Sequence, residues 1–166
     1  GANISFSNQR EVDGEILADI NAKSSELSGI IVPKSRAPSM IDEYPILAIA
    51  AIKAKGDTIM EGIEELRYKE TDRIKAMDDG LSSIGIKTKS TKDSLTIHGK
   101  GQKSLISGGI EIDSRLDHRI AMSFLCLGLI TEKPVIVNDT DTINSSFPIF
   151  FDQMNKIGAK LKYLKN

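Results

Sequence analysis

Ser83-Ile84-Gly85-Ile86-Lys87 returns further along the chain as Lys156-Ile157-Gly158-Ala159-Lys160, and this recurrence decides how the rest is read. Each copy closes an amphipathic run and opens an extended one, with its glycine placed to end a helix. Working outward from the first copy, Ile74, Met77, Leu81 and Ile84 fall at helical spacing, so residues 69–84 are read as a helix. Before it stand an Ala-rich helix over 42–55, with Pro45 in its first turn and Gly56 past its end, and a strand over 58–60. After it come two strands, 87–90 and 94–99, joined around Lys92-Asp93. The second copy has matching surroundings: a helix over 117–130, a strand over 135–138, a helix over 146–157 with Pro148 in its first turn, and a strand over 160–164.

Asp42 and Asp117 open corresponding helices about 75 residues apart, and the strands that follow are offset by nearly the same distance. A helix–strand–helix–strand–strand unit therefore occurs twice. Short strands over 4–8 and 15–22, flanking Asp13-Gly14, and over 31–32 precede it. The opening Gly1-Ala2-Asn3-Ile4 resembles Gly158-Ala159-Lys160-Leu161, so the chain is expected to begin in the tail of a further copy. The divisions are about 1–35 for that tail, 36–110 for the second repeat and 111–166 for the third. With no initial Met, the chain is expected to be a piece of something longer.

Composition bounds the function. The 166 residues are 40% hydrophobic and 27% charged, a globular balance. A net charge of -1 lacks the footprint of a nucleic-acid binder. The longest apolar stretch, 121–130, is too short to span a bilayer. One cysteine, Cys126, allows no internal disulfide, and two histidines make a dedicated zinc site unexpected. Gly108-Gly109 reads as a turn before a strand, and no Walker or dinucleotide motif is present. Met60, Met77, Met122, Cys126 and the phenylalanines 147, 150 and 151 read as core, His98 as surface.

Polar residues at the helix starts carry the chemistry. Asp42-Glu43, Lys69-Glu70-Thr71-Asp72-Arg73 and Asp117-His118-Arg119 each open a helix. Helix N-termini favour anions, so Asp42 and Asp117 suit capping, whereas Arg73 and Arg119 oppose the dipole unless an anion joins them. Arginine forks match carboxylate and phosphate. If the repeat brings equivalent helix ends together, a phosphate- or carboxylate-bearing substrate is expected. Glu70 and Asp42, in different settings, then suit acid–base work.

The same strings carry a resemblance. Asp42-Glu43-Tyr44-Pro45, then Leu66-Arg67-Tyr68-Lys69-Glu70-Thr71-Asp72-Arg73-Ile74, then Asp117-His118-Arg119-Ile120-Ala121-Met122 resemble the 5-enolpyruvylshikimate-3-phosphate synthases, in order and over nearly the whole chain. The resemblance implies an α+β fold of repeated βαβαββ units, of which this chain holds about two of the three in the C-terminal domain. It implies a cytoplasmic enzyme that transfers enolpyruvyl from phosphoenolpyruvate to the 5-hydroxyl of shikimate 3-phosphate, with glyphosate as inhibitor. No metal or organic cofactor is implied. Asp42 matches the residue that contacts shikimate hydroxyls and accepts a proton. Lys69 matches a contact to shikimate 3-phosphate. Glu70 matches the proton carrier at the phosphoenolpyruvate methylene. Arg73 and Arg119 match the arginines on the phosphoenolpyruvate anion, with His118 beside them.

Ser145 stands before Ser146-Phe147-Pro148 where some members have lysine. The N-terminal domain of the family is absent, so the chain alone is expected to be inactive, and a dimer of the exposed fragment is expected to be possible. Two other readings stay open: an enolpyruvyl transferase acting on a UDP-sugar, and a non-catalytic anion-binding repeat domain.

Overall fold

Two long strands, β1 (Asn3–Val12) and β2 (Glu15–Lys23), open the chain in a computed structural model that describes residues 1–164. They pair antiparallel across Asp13-Gly14, both at positive φ (52° and 84°), as a two-residue turn with the twist of a hairpin requires. The register sets Ile4 opposite Ala22 and Phe6 opposite Ile20, with Ile16 further along β2 on the same face, so that face is largely apolar. That face is exposed, Ile20 at 66%.

The next stretch builds a four-stranded sheet. β3 (Ile31–Val32) leads through a 3-10 turn (Lys34–Arg36), α1 (Ala37–Met40) and α2 (Tyr44–Ile52) into β4 (Lys55–Glu61). A second 3-10 turn (Glu64–Tyr68) precedes α3 (Arg73–Ser83), followed by β5 (Thr88–Ser90) and β6 (Ser94–Lys100). The strand order is β3-β4-β6-β5, with β3 parallel to β4 and the other pairs antiparallel. Then β7 (Gly108–Asp113), α4 (His118–Leu127) and β8 (Lys133–Asn138) form a parallel strand–helix–strand unit. A 3-10 turn (Thr140–Thr142), α5 (Ile143–Ser146) and α6 (Phe150–Lys156) follow. β3–α2–β4 and β7–α4–β8 are thus the same parallel crossover made twice, in an overall α+β arrangement.

α2 packs on β6 on one side and on α4 on the other. Its Tyr44, Pro45, Ala48, Ile49, Ala51 and Ile52 are all buried, which is why the helix is apolar nearly all round. Ile74, Met77 and Leu81 of α3 join Leu95 and Ile97 of β6 and Phe124 of α4 in the core. α3 meets α4 at Gly80, where a Cβ would overlap the Phe124 ring.

Several expectations need correction. The helix expected over 42–55 spans only Tyr44–Ile52, because Lys55 already begins β4 beside β6. The helix expected over 69–84 begins at Arg73, since Asp72 caps it by accepting the Lys75 N–H at 2.9 Å. The helix expected over 146–157 is broken at Pro148: Phe147 leaves the helical region (φ -143°, ψ 72°), as the steric clash with a following proline ring favours. Residues 160–164 form no strand, because the antiparallel neighbour that β6 supplies to β5 has no counterpart among the described residues. Met60, Met77 and Phe150 are buried, while Phe147 is exposed and Met122, Phe151 and Cys126 are half-buried.

Candidate active site

The starts of α2, α3 and α4 meet around the guanidinium of Arg73, whose side chain is 1% exposed. Its Nε donates to Asp117 Oδ2 at 2.8 Å, its Nη1 to Asp42 Oδ1 at 3.0 Å and its Nη2 to Glu70 Oε2 at 2.6 Å. Asp117 is fully buried and does double duty: Oδ1 accepts the backbone N–H groups of Arg119 (2.8 Å) and Ile120 (3.2 Å), capping α4. Burying a guanidinium is costly unless carboxylates surround it, and here three do. Burial works to lower the Arg73 pKa, but hydrogen bonding and charge, first from Asp117 and then from Glu70 and Asp42, prevail and raise it.

Arg119 stands at the open side, 32% exposed, with Nη2 at 3.2 Å from Asp42 Oδ2 and Nη1 at 3.6 Å from Glu43 Oε1. The Arg119 Nη1 also donates to the Asp42 backbone carbonyl at 3.1 Å. His118 Nδ1 lies 4.0 Å from Glu70 Oε1. The loop before α3 is held by Arg67, which pairs with Asp72 at 2.6 Å and donates to the Thr91 and Lys92 carbonyls.

The structure therefore brings together Asp42, Glu70, Arg73, His118 and Arg119. It leaves Lys69 apart, bonded to Glu65 one helical turn earlier at 2.7 Å. Two corrections of detail follow. Asp42 is not a helix cap: α2 starts after Glu43 with no side-chain cap, and the Asp42 carboxylate goes to the two arginines instead. The anions that offset Arg73 against its helix dipole are side chains of the chain itself. Asp117 is the participant that sequence reasoning treated as a plain cap. The repeat offset that sets it in the place of Asp42 was the available signal.

Asp42, Glu70 and Asp117 outnumber Arg73 and Arg119, so the cluster is not a ready-made anion cradle. Its more exposed members are Asp42, Glu70 and Arg119. Among the described residues, no group of three or more His, Cys, Asp or Glu is placed to hold a metal ion, and no helix is long and apolar enough to cross a membrane.

Comparison with known proteins gives a consistent picture. The family model described as EPSP synthase (3-phosphoshikimate 1-carboxyvinyltransferase) matches residues 6–154. A 3-phosphoshikimate 1-carboxyvinyltransferase of Cereibacter sphaeroides is 51% identical over 97% of this chain and 36% of the relative. One from a Chelativorans species is 51% identical over 98% and 36%. The 2.37 Å structure of EPSP synthase from Acinetobacter baumannii superposes with a TM-score of 0.93 at 42% identity, covering 99% of this chain and 38% of that one. The chain thus spans about a third of the length of the relatives it matches. Its α+β fold is a portion of the EPSP synthase fold. On the family match and these identities, the chain belongs to the EPSP synthase (3-phosphoshikimate 1-carboxyvinyltransferase) family.

Proposed function

We propose that this chain is part of a longer cytoplasmic enzyme that transfers the enolpyruvyl group of phosphoenolpyruvate to the 5-hydroxyl of shikimate 3-phosphate, releasing phosphate. The observation that carries the reading is the convergence of Asp42, Glu70, His118 and Arg119 on the buried Arg73, at the start of three helices. In this reading Arg119 and the outer N–H groups of Arg73 neutralise the phosphoenolpyruvate carboxylate and phosphate. The entering anion displaces Asp42 or Glu70 from its arginine. Asp42 then takes the hydroxyl proton of shikimate 3-phosphate as its oxygen bonds to the enol carbon, while Glu70, in its protonated form, gives a proton to the methylene carbon. The bond from the enol carbon to the phosphate oxygen then breaks, Glu70 retrieves a proton from the new methyl group, and the proton on Asp42 leaves with the phosphate. Lys69 would leave Glu65 to meet the 3-phosphate.

The excess of carboxylates over arginines supports a second element of the reading. More cations must come from outside the chain, from the N-terminal domain that family resemblance implies. We accordingly assign the repeat divisions 1–35, 36–110 and 111–166 to one domain, and expect the chain alone to be inactive. The exposed apolar face of the β1–β2 hairpin is expected to promote self-association when the chain is isolated, which light scattering reads directly.

The test uses the longer protein. Phosphate release should require phosphoenolpyruvate and shikimate 3-phosphate, fail with a UDP-sugar acceptor, and fall at least about 100-fold in Arg119→Ala, which loses an interaction aimed at developing charge. Unchanged turnover in Arg119→Ala, or turnover with the UDP-sugar alone, contradicts it.

A further inference from the structure

The turn between β7 and α4 contains two successive non-glycine residues in the left-handed region, Arg115 (φ 55°) and Leu116 (φ 59°). Each crowds its Cβ against the backbone, and a leucine there is unusual. Leu116 is also 65% exposed, so its side-chain burial does not offset the strain. Such strain persists only where surrounding contacts hold it, and it collects at functional sites. The next residue is Asp117, the buried partner of Arg73 and the cap of α4.

Three contacts hold the turn. The Arg115 backbone N–H donates to Asp113 Oδ1 at 2.7 Å, and Asp117 N–H donates to the Ser114 carbonyl at 3.1 Å. The Arg115 Nη2 reaches across to Asp79 Oδ2 on α3 at 2.6 Å. Lys75 steadies Asp79 from one turn earlier, at 2.9 Å. The carboxyl of Asp79 is raised by burial but lowered further by its bonds to Lys75 and Arg115, so its pKa is lowered overall. The strained turn is therefore tied to α3 at two points. One is buried, Asp117 to Arg73; the other is on the surface, Arg115 to Asp79.

We propose that Arg115 is a positioning residue: its contact with Asp79 holds the left-handed turn that delivers Asp117 to Arg73 and sets His118 beside Glu70. A surface ion pair usually contributes little to stability. Here it fixes a conformation that the local backbone disfavours, and its effect reaches the site through Asp117. The significance of this alignment for turnover rests on the transferase reading above. The alignment itself is testable without any turnover.

The chain has only two histidines, so NMR of the imidazole C–H resonances gives a site reporter, His118, and an internal reference, His98, which pairs with Asp57 on the β4–β6 sheet. At fixed pH, Arg115→Ala should shift or broaden the His118 resonance and leave His98 in place. Arg115→Lys, which keeps the cation, should restore much of the original position. Leu116→Gly should raise Tm, since glycine takes the left-handed conformation without the Cβ clash. In that background Arg115→Ala should have a smaller effect on His118, a coupling that independent sites do not show. The proposal is overturned if His118 stays fixed in Arg115→Ala, if both histidines move together, if Leu116→Gly lowers Tm, or if the two substitutions act independently. Because the readout is not catalytic, failure here leaves the transferase reading standing. An inactive longer protein would remove that reading and leave this one standing.

Discussion

The β5–β6 and β1–β2 hairpins carry the same kind of strand pattern and meet opposite fates. In β6, Leu95 and Ile97 are buried beneath α2 and α3. In β1 and β2, Phe6, Ile16 and Ile20 line an apolar face that stays exposed. Alternation decides which face of a hairpin is apolar, but only helices laid over it turn that face into core. The helices that cover β5–β6 are α2, which Asp42 precedes by two residues, and α3, which Arg73 opens, and α4, capped by Asp117, packs beside them. Core and candidate site are therefore built by one packing event, and substitutions in the site should register as stability changes. Substitutions in the bare hairpin should scarcely register.

The sharpest way to break this comparison is Asp117→Ala. It removes the only fully buried carboxylate on Arg73, leaving the more exposed Asp42 and Glu70, and it removes the α4 cap, so a loss of about 3–5 kcal/mol is expected from the two effects together, read by urea denaturation. A loss like that of a surface carboxylate would mean that the helix starts are not part of the core. Next in size is the paired truncation of the two hairpins. Ile97→Ala should cost about 2–5 kcal/mol and Ile20→Ala no more than about 0.5 kcal/mol; equal costs would erase the distinction.

A smaller effect of opposite sign is expected at Tyr44, whose buried hydroxyl has no hydrogen-bond partner among the described residues. Burial pushes its pKa up, against a weaker opposing effect of Arg36. Tyr44→Phe removes a buried unsatisfied group and should stabilise the chain by about 1 kcal/mol, seen as a higher Tm. Smallest is the acid response of Asp79, whose pKa is lowered in the folded chain. The unfolded chain binds that proton first, so this contribution is present above the ordinary carboxylate range and is lost as pH falls through the folded value. As Asp79 is half-exposed, the difference between wild type and Asp79→Asn should stay below about 1 kcal/mol at neutral pH and vanish in acid.

Much of this was legible in the sequence. The recurrence of Ile84-Gly85 as Ile157-Gly158 pointed to a repeated unit, and the parallel crossovers β3–α2–β4 and β7–α4–β8 show one structural motif made twice. The strings around Asp42, Arg73 and Arg119 located the helix starts that converge. What stayed hidden depends on long-range packing. No local pattern shows that Arg73 is buried among three carboxylates, or that Asp117 is shared between a cap and an ion pair. Lys69 lies next to Glu70 in sequence yet bonds to Glu65, because the 3-10 turn over Glu64–Tyr68 folds the chain back and brings the two side chains within 2.7 Å. Residues 160–164 read as a strand by composition, but a strand requires a neighbour that the described residues do not supply.

In the proposed function, the Arg73 cluster is one part of an enolpyruvyl-transfer site that is complete only with the rest of a longer protein. Phosphate release from phosphoenolpyruvate and shikimate 3-phosphate, measured side by side for this chain and for the longer protein, tests it most directly. Turnover by the longer protein, and none by the chain under conditions where its melting is shown to be cooperative, is the expected result. Turnover by the chain alone, or none by the folded longer protein, would contradict it.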